Sequence, residues 1–265
     1  MNDTSLTLSA ISAQLHTQRL GRCGHILSRT DSTNTQIKQR FCEQPEGFIL
    51  LAEEQTSGRG RQGRTFVSPA GGLYLSLLLH PDLPFDKLSL LTPLAAVAVC
   101  QAVEQLCGLC PQIKWVNDVF LGNRKVCGIL TESAFGQFAA KPDYSVVGIG
   151  VNLNLDRTAH PELAEIAGAL ADENILLPTR AQLAAAILNA FEPWYDQLLA
   201  GNGHELVQAY RNRLNCLHKP ITVVSGDATY PAICTGLTDE GNLIVTDEHG
   251  QQSVLCSGEI RIRLE

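Results

Sequence analysis

Gly58-Arg59-Gly60-Arg61-Gln62-Gly63-Arg64 is the stretch on which the reading of this chain turns. Three arginines and three glycines interleave within it. Glycine frees the backbone for left-handed or close-approach conformations. Arginine presents a planar fork that grips phosphate or carboxylate with paired hydrogen bonds. Charges of one sign this close repel each other, so an anion is the natural guest. The loop points to an enzyme that handles a triphosphate.

Three other readings compete. A solvated Gly/Arg linker is one. An RNA-binding arginine-glycine segment is another, but the motif occurs once, inside globular sequence, in a chain of net charge −7. Gly58, Gly60 and Gly63 also match the dinucleotide fingerprint, which needs a strand before it and a helix opening directly after it. A strand over Phe48–Glu53 fits. The sequel, Thr65-Phe66-Val67-Ser68-Pro69-Ala70-Gly71-Gly72, is turn-rich and cannot open a helix. The dinucleotide reading therefore fails.

Outward from the loop, 265 residues suffice for one large domain or a large and a small one. Hydrophobic content of 45% with 18% charged residues excludes a disordered chain. Leu88–Cys107, the longest apolar stretch, is interrupted by Ser89, Thr92, Gln101, Glu104 and Gln105, so no membrane span is expected. Met1–Ala10 lacks the cationic start and apolar block of a secretion signal. Nine cysteines without framework spacing fit reduced thiols and a cytoplasmic protein. Cys107 and Cys110 form a lone C-x-x-C with no second pair, which reads as two small apolar residues at a helix end.

The pattern predicts strands at Ile26–Ser28, Phe48–Glu53, Gly72–Leu79, Gln112–Trp115, Lys125–Glu132 and Ser145–Asn152. A helix capped by Ser32 or Thr33 should carry Ile37 and Phe41. The strongest helix is Leu88–Cys107, with Pro93 in its first turn and Gly108 and Pro111 closing it. Further helices are expected at Thr179–Phe191, broken by Pro193, and at Glu205–Leu214. From Lys219 short strands, the last of them Ile260–Leu264, alternate with Gly/Asp turns such as Gly226-Asp227, which suggests a small β-barrel. The expected division is a short N-terminal segment (1–24), a catalytic domain (25–216) and the barrel (217–265).

Five stretches within about 120 residues put polar or cationic side chains beside glycine or at a strand end. They are Asp31-Ser-Thr-Asn34, Gln55 with the Gly-Arg loop, Lys114-Trp-Val-Asn-Asp118, Arg124-Lys-Val-Cys-Gly128 and Gly148-Ile-Gly-Val-Asn152. Singly each has a plain alternative: a helix cap, a turn at Asn117-Asp118, a solvent-facing Lys125, close strand packing at the glycines.

Jointly, from about Ile26 to the C-terminus, the set resembles the biotin protein ligase family. The most specific elements are the Gly58–Arg64 loop, Lys114-Trp115-x-Asn117-Asp118 and Lys125-x-x-Gly128-Ile129-Leu130. The resemblance implies an α/β (α+β) fold: a mixed-sheet catalytic domain related to class II aminoacyl-tRNA synthetases, followed by a small SH3-like β-barrel. It implies two steps, formation of biotinyl-5′-AMP from biotin and ATP with Mg²⁺, then transfer to a lysine of the biotin carboxyl carrier protein of acetyl-CoA carboxylase. Ser32, Thr33, Asn34, Gln55, Arg59, Gly60, Arg61, Lys125 and Gly128 match biotin-side positions. Arg59, Arg61, Arg64, Phe66, Asn117 and Asn152 match nucleotide-side positions. Lys125, Arg61 and Asp118 are the catalytic candidates, and Asp118 either holds Mg²⁺ or orients the incoming amine and accepts its proton. Phe66 stands where the family commonly has tryptophan, Val116 where it has proline, and Gln62 where some relatives have arginine. With about 25 residues ahead of the catalytic part, a winged helix does not fit, so a monofunctional ligase without repressor activity is expected. No nucleic-acid or membrane partner is expected, and a homodimer is left open. The alternative is a lipoate– or octanoate–protein ligase of the same fold, against which the full Gly-Arg loop and the C-terminal barrel both stand.

Overall fold

The computed structural model describes residues 6–137, 139–163, 165–225, 228–256 and 258–262. Its centre is a seven-stranded mixed sheet in the order β1-β2-β3-β7-β6-β5-β4. The strands are β1 (Gly24–Leu27), β2 (Ile49–Ala52), β3 (Leu73–Leu79), β4 (Gln112–Lys114), β5 (Asp118–Leu121), β6 (Arg124–Ala134) and β7 (Tyr144–Val151). β1 runs parallel to β2, and every other pair is antiparallel.

Strand periodicity assigns the two faces. In β3, Leu73, Leu75, Leu77 and Leu79 join the main core, while Leu78 belongs to a smaller cluster with Ile37, Phe48, Leu50 and Val146. Both faces are covered, which is why β3 is apolar throughout except at Ser76.

Among the described residues five α-helices accompany the sheet: α1 (Leu8–Ser12), α2 (Thr33–Gln36), α3 (Leu91–Cys107), α4 (Arg180–Leu199) and α5 (His204–Arg211). Ser32 caps α2, its hydroxyl accepting from the Thr35 N–H, and α2 runs on into a π-helical turn over Ile37–Phe41. Gly108 ends α3 in the left-handed conformation at φ 65°, and its N–H donates to the Glu104 carbonyl. A 3₁₀ turn at Phe85–Leu90 leads into α3. The combined Phe85–Cys107 segment is long and apolar enough to cross a membrane, with a mean hydropathy of 1.5. Within its most apolar window 67% is buried inside the protein, as expected of a core helix.

Two expectations need correction. Pro193 does not break α4, which continues to Leu199. Proline removes one N–H from the ladder, but buried Phe191, Tyr195 and Leu198 anchor the helix on both sides of it. The predicted strands also omit β5, which Asp118 opens between β4 and β6 directly after a turn at Trp115–Asn117.

The N-terminal segment shares the main core through Ile11, Leu15 and Leu20. It is tied down by Glu192 of α4, whose carboxylate accepts the backbone N–H groups of Gln18, Arg19 and Leu20. After α5 come β8 (Pro220–Ser225), β9 (Ala228–Leu237), β10 (Leu243–Asp247), β11 (Gln252–Leu255) and β12 (Glu259–Ile262). They form a five-stranded antiparallel sheet, β11-β10-β9-β8-β12, consistent with the small all-β unit expected after Lys219. The predicted turn at Gly226-Asp227 and the predicted strand end at 263–264 lie outside the described residues. Trp115 Nε1 donates to the Gly241 carbonyl at 3.2 Å, and Lys87 pairs with Glu240, so this sheet is fastened to the larger one.

Candidate active site

One cavity opens on the face of the large sheet away from α3. Its floor is main chain, because Gly128 pairs with Gly150, and Leu130 with Gly148, across β6 and β7. A Cβ on Gly148 would lie 2.3 Å from Asn34 Oδ1, and one on Gly150 would lie 2.5 Å from the Phe66 ring. The glycines are needed where α2 and the Gly-Arg loop close down on the sheet.

The first wall is the start of α2 with its cap. The Thr33 N–H donates to Gln55 Oε1 at 2.8 Å. Ser76 Oγ bridges Thr33 Oγ1 (2.7 Å) and Asn34 Oδ1 (2.6 Å). Asn34 Nδ2 donates to the Leu130 carbonyl and to Glu132 Oε2. Gln55 Nε2 donates to Ser68 Oγ at 2.9 Å. Ser32, Thr33 and Asn34 are all buried. These bonds leave, among the described residues, the Ser32 hydroxyl hydrogen and one Gln55 amide hydrogen as donors, and one Asn34 Oδ1 lone pair as an acceptor.

The second wall is the Gly-Arg loop, which forms a tight hairpin. Gly60 N–H donates to the Arg64 carbonyl and Phe66 N–H to the Gly58 carbonyl. Gln62 and Gly63 make the tip in left-handed conformations, at φ 54° and 73°. Arg59, Arg61 and Arg64 all line the cavity. Burial draws the Arg61 guanidinium below the usual arginine value, and the charge of Asp118 works against that shift. Arg64 forms an ion pair with Glu259 of β12, whose hydrogen bond raises the arginine's pKa.

The third wall comes from β5 and β6. Lys125 Nζ lies 2.7 Å from Asp118 Oδ1 and 5.6 Å from the Phe66 ring centre. Asn117 Nδ2 donates to the Ile129 carbonyl at 2.8 Å, which straps the Trp115–Asp118 segment to β6. An anion entering here meets Lys125, Arg61 and Arg59 from three sides.

Of the fourteen candidate site residues, thirteen line this cavity, from Ser32 at the cap of α2 to Gly128 of β6. Asn152 does not line it; its side chain is buried and donates to the Gly168 carbonyl at 3.0 Å. The sequence reading missed Glu259 and Gly258, which reach the cavity from the C-terminal sheet, and it gave Tyr74 no role in the lining. Nothing local marks Glu259, which meets Arg64 across a separation of 195 residues.

The profile of the Biotin/lipoate A/B protein ligase family matches residues 26–152. The chain is similar to the bifunctional ligase/repressor BirA of Bacillus subtilis, 31% identical over 231 residues, covering 86% of this chain and 70% of that protein. It is 31% identical over 237 residues to the biotin–[acetyl-CoA-carboxylase] ligase of Paracoccus denitrificans, covering 86% of this chain and 96% of that one. The solved biotin protein ligase of Aquifex aeolicus in complex with biotin and ATP is similar in fold, with a TM-score of 0.80, 27% identity, and coverage of 92% of this chain and 100% of that one.

Proposed function

We propose a function that starts from one premise: the chain belongs to the biotin protein ligase family. It uses ATP to convert biotin to biotinyl-5′-AMP, then transfers the biotinyl group to a lysine of a biotin carboxyl carrier protein. The observation that carries this reading is the joining, in one cavity, of an uncharged amide-and-hydroxyl end to a cationic middle. Biotin's ureido ring has one carbonyl and two N–H groups. The free hydrogens of Ser32 and Gln55 suit the carbonyl, and Asn34 Oδ1 suits an N–H. The dithiolane ring of lipoate and the alkyl tail of octanoate have no partners for these groups, which would then be left unpaired.

In the first step a biotin carboxylate oxygen bonds to the α-phosphorus, and the bond from phosphorus to pyrophosphate breaks. Two anions approach each other, so catalysis is positioning and charge stabilisation. Lys125 and Arg61 hold the carboxylate and α-phosphate together, Arg59 closes over the biotin side, and Arg64 holds the outer phosphates. Phe66 offers its ring to adenine. In the second step the lysine amine attacks the carbonyl carbon, the bond to AMP breaks, and the nitrogen loses a proton.

Mg²⁺ retains several waters and takes one or two carboxylates plus phosphate oxygens. No cluster of three metal-binding side chains is found among the described residues, and none is needed. Asp118, which lines the cavity beside Lys125, would hold the ion, and the ion would neutralise charge on the leaving pyrophosphate. The competing role for Asp118, accepting the proton of the amine, uses the same position. We place the protein in the cytoplasm, consistent with its nine free thiols. The acceptor is the carrier domain of an acetyl-CoA carboxylase, as in the name of the Paracoccus relative.

The test is ATP–pyrophosphate exchange with biotin, lipoate and octanoate in parallel. Exchange with biotin alone is expected. Exchange with lipoate instead would keep the mechanism and overturn the substrate.

A further inference from the structure

Glu132 stands behind the cavity wall on β6 and takes no part in either step above. It nevertheless joins three segments. Oε1 accepts from Lys38 Nζ at 2.6 Å and lies 3.7 Å from Arg59 Nη1 of the Gly-Arg loop. Oε2 accepts from Asn34 Nδ2 at 3.0 Å. Burial opposes its charge, but the hydrogen bonds from Lys38 and Asn34 outweigh it and hold the carboxyl below the usual glutamate range.

The decisive contact is the one to Asn34. An asparagine side chain can present either its oxygen or its NH₂ to a ligand, and the surrounding network selects which. Both Asn34 amide hydrogens are directed away from the ligand, to the Leu130 carbonyl and to Glu132. Oδ1 is thereby turned toward Ser76 and the Gly148 floor. We infer that Glu132 is a positioning residue that fixes the Asn34 amide with its oxygen toward the bound acid, and so sets selectivity for an acid whose ring donates N–H. This inference rests on the biotin reading of the cavity.

Glu132→Gln tests it with little change of shape. The Lys38 ammonium requires an oxygen opposite it, so the new amide would set its NH₂ against Asn34 Nδ2. Donor then faces donor, and Asn34 turns over. In ATP–pyrophosphate exchange, KM for biotin is expected to rise about tenfold or more, the cost of one misdirected buried hydrogen bond. The kcat and the KM for ATP should stay within about twofold. Lys38→Leu, which leaves the Glu132–Asn34 bond in place, should keep KM for biotin within about twofold.

An unchanged KM for biotin in Glu132→Gln would overturn the inference. So would a parallel loss in kcat and both KM values, which marks a role in folding alone. A rise in Lys38→Leu equal to that in Glu132→Gln would move the effect to the ion pair and overturn it as well. Absence of biotin exchange in the unaltered protein would instead sink the ligase reading, so the two failures are distinguishable.

Discussion

Lys125 Nζ and Asp118 Oδ1 lie 2.7 Å apart on neighbouring strands, so the cation proposed here for the substrate phosphate carries its own anion within the cavity. The ion pair fixes the direction in which the Lys125 side chain points. On the proposed function, an entering carboxylate and α-phosphate would compete with Asp118 for Lys125.

Lys125→Met is therefore expected to slow adenylate formation about 10²- to 10³-fold, the usual cost of one pre-aimed donor to developing charge. Asp118→Asn should slow transfer to the carrier lysine more than adenylate formation. Single-turnover assays of each half-reaction separate the two. Equal loss in both would favour the metal-holding role for Asp118 over that of proton acceptor.

Arg61 lines the cavity, and its neighbours in the loop supply hydrogen-bonded hairpin geometry. Arg61→Gly removes the fork and loosens the turn together. Biotinyl-5′-AMP should then leave the site, and lysines of bystander proteins should become labelled, since an escaped acyl-adenylate reacts with any amine. Labelling of albumin mixed with the enzyme reads this directly. Strict labelling of the carrier domain with full adenylate retention would contradict the role of the loop as a lid.

Phe66 packs its ring against Gly128 and Gly150 while Lys125 approaches its face. Phe66→Ala is expected to raise KM for ATP by roughly tenfold through lost ring contact, with KM for biotin nearly unchanged. Parallel shifts in both KM values would place Phe66 in the framework of the loop instead of the adenine site.

Glu192 gives a stability prediction with a defined pH window. Burial acts against its charge, but three backbone N–H groups lower its pKa in the folded state. The ionised form thus favours folding. Its stabilisation is complete above the unfolded value of about 4.3 and is lost as pH falls through the lower folded value. Glu192→Gln should cost about 1–3 kcal/mol at pH 7 in denaturant unfolding, and the difference from the unaltered protein should shrink below pH 4 or so.

Much of this architecture could be read from local pattern. The leucines of β3, the proline and glycine that bracket α3, and Ser32 before α2 each state their structure within a few residues. The cavity was legible because most of its chemistry sits in short motifs at strand ends. What escaped the reading depends on distance in sequence. Pro193 carries a local signal for a break, and buried neighbours on both sides override it. Asn152, beside two glycines, stands outside the cavity lining and donates to the Gly168 carbonyl, a contact that local pattern does not show. Glu132 and Glu259 look like ordinary strand carboxylates until Asn34 and Arg64 are brought beside them from other parts of the chain.

The meeting of Gly128, Gly148 and Gly150 has a consequence for anyone wishing to reshape the enzyme. The depth of the trough between β6 and β7 is set by the hydrogen-bond spacing of two strands, so there is no side chain to trim. Any addition there collides with Asn34, Phe66 or Lys125 within about 3 Å. Variants accepting bulkier acids should therefore be sought in the rim, at Thr33, Gln55 or Phe66, where a side chain can be shortened. A library spread evenly over the cavity would spend its floor positions on proteins that cannot close.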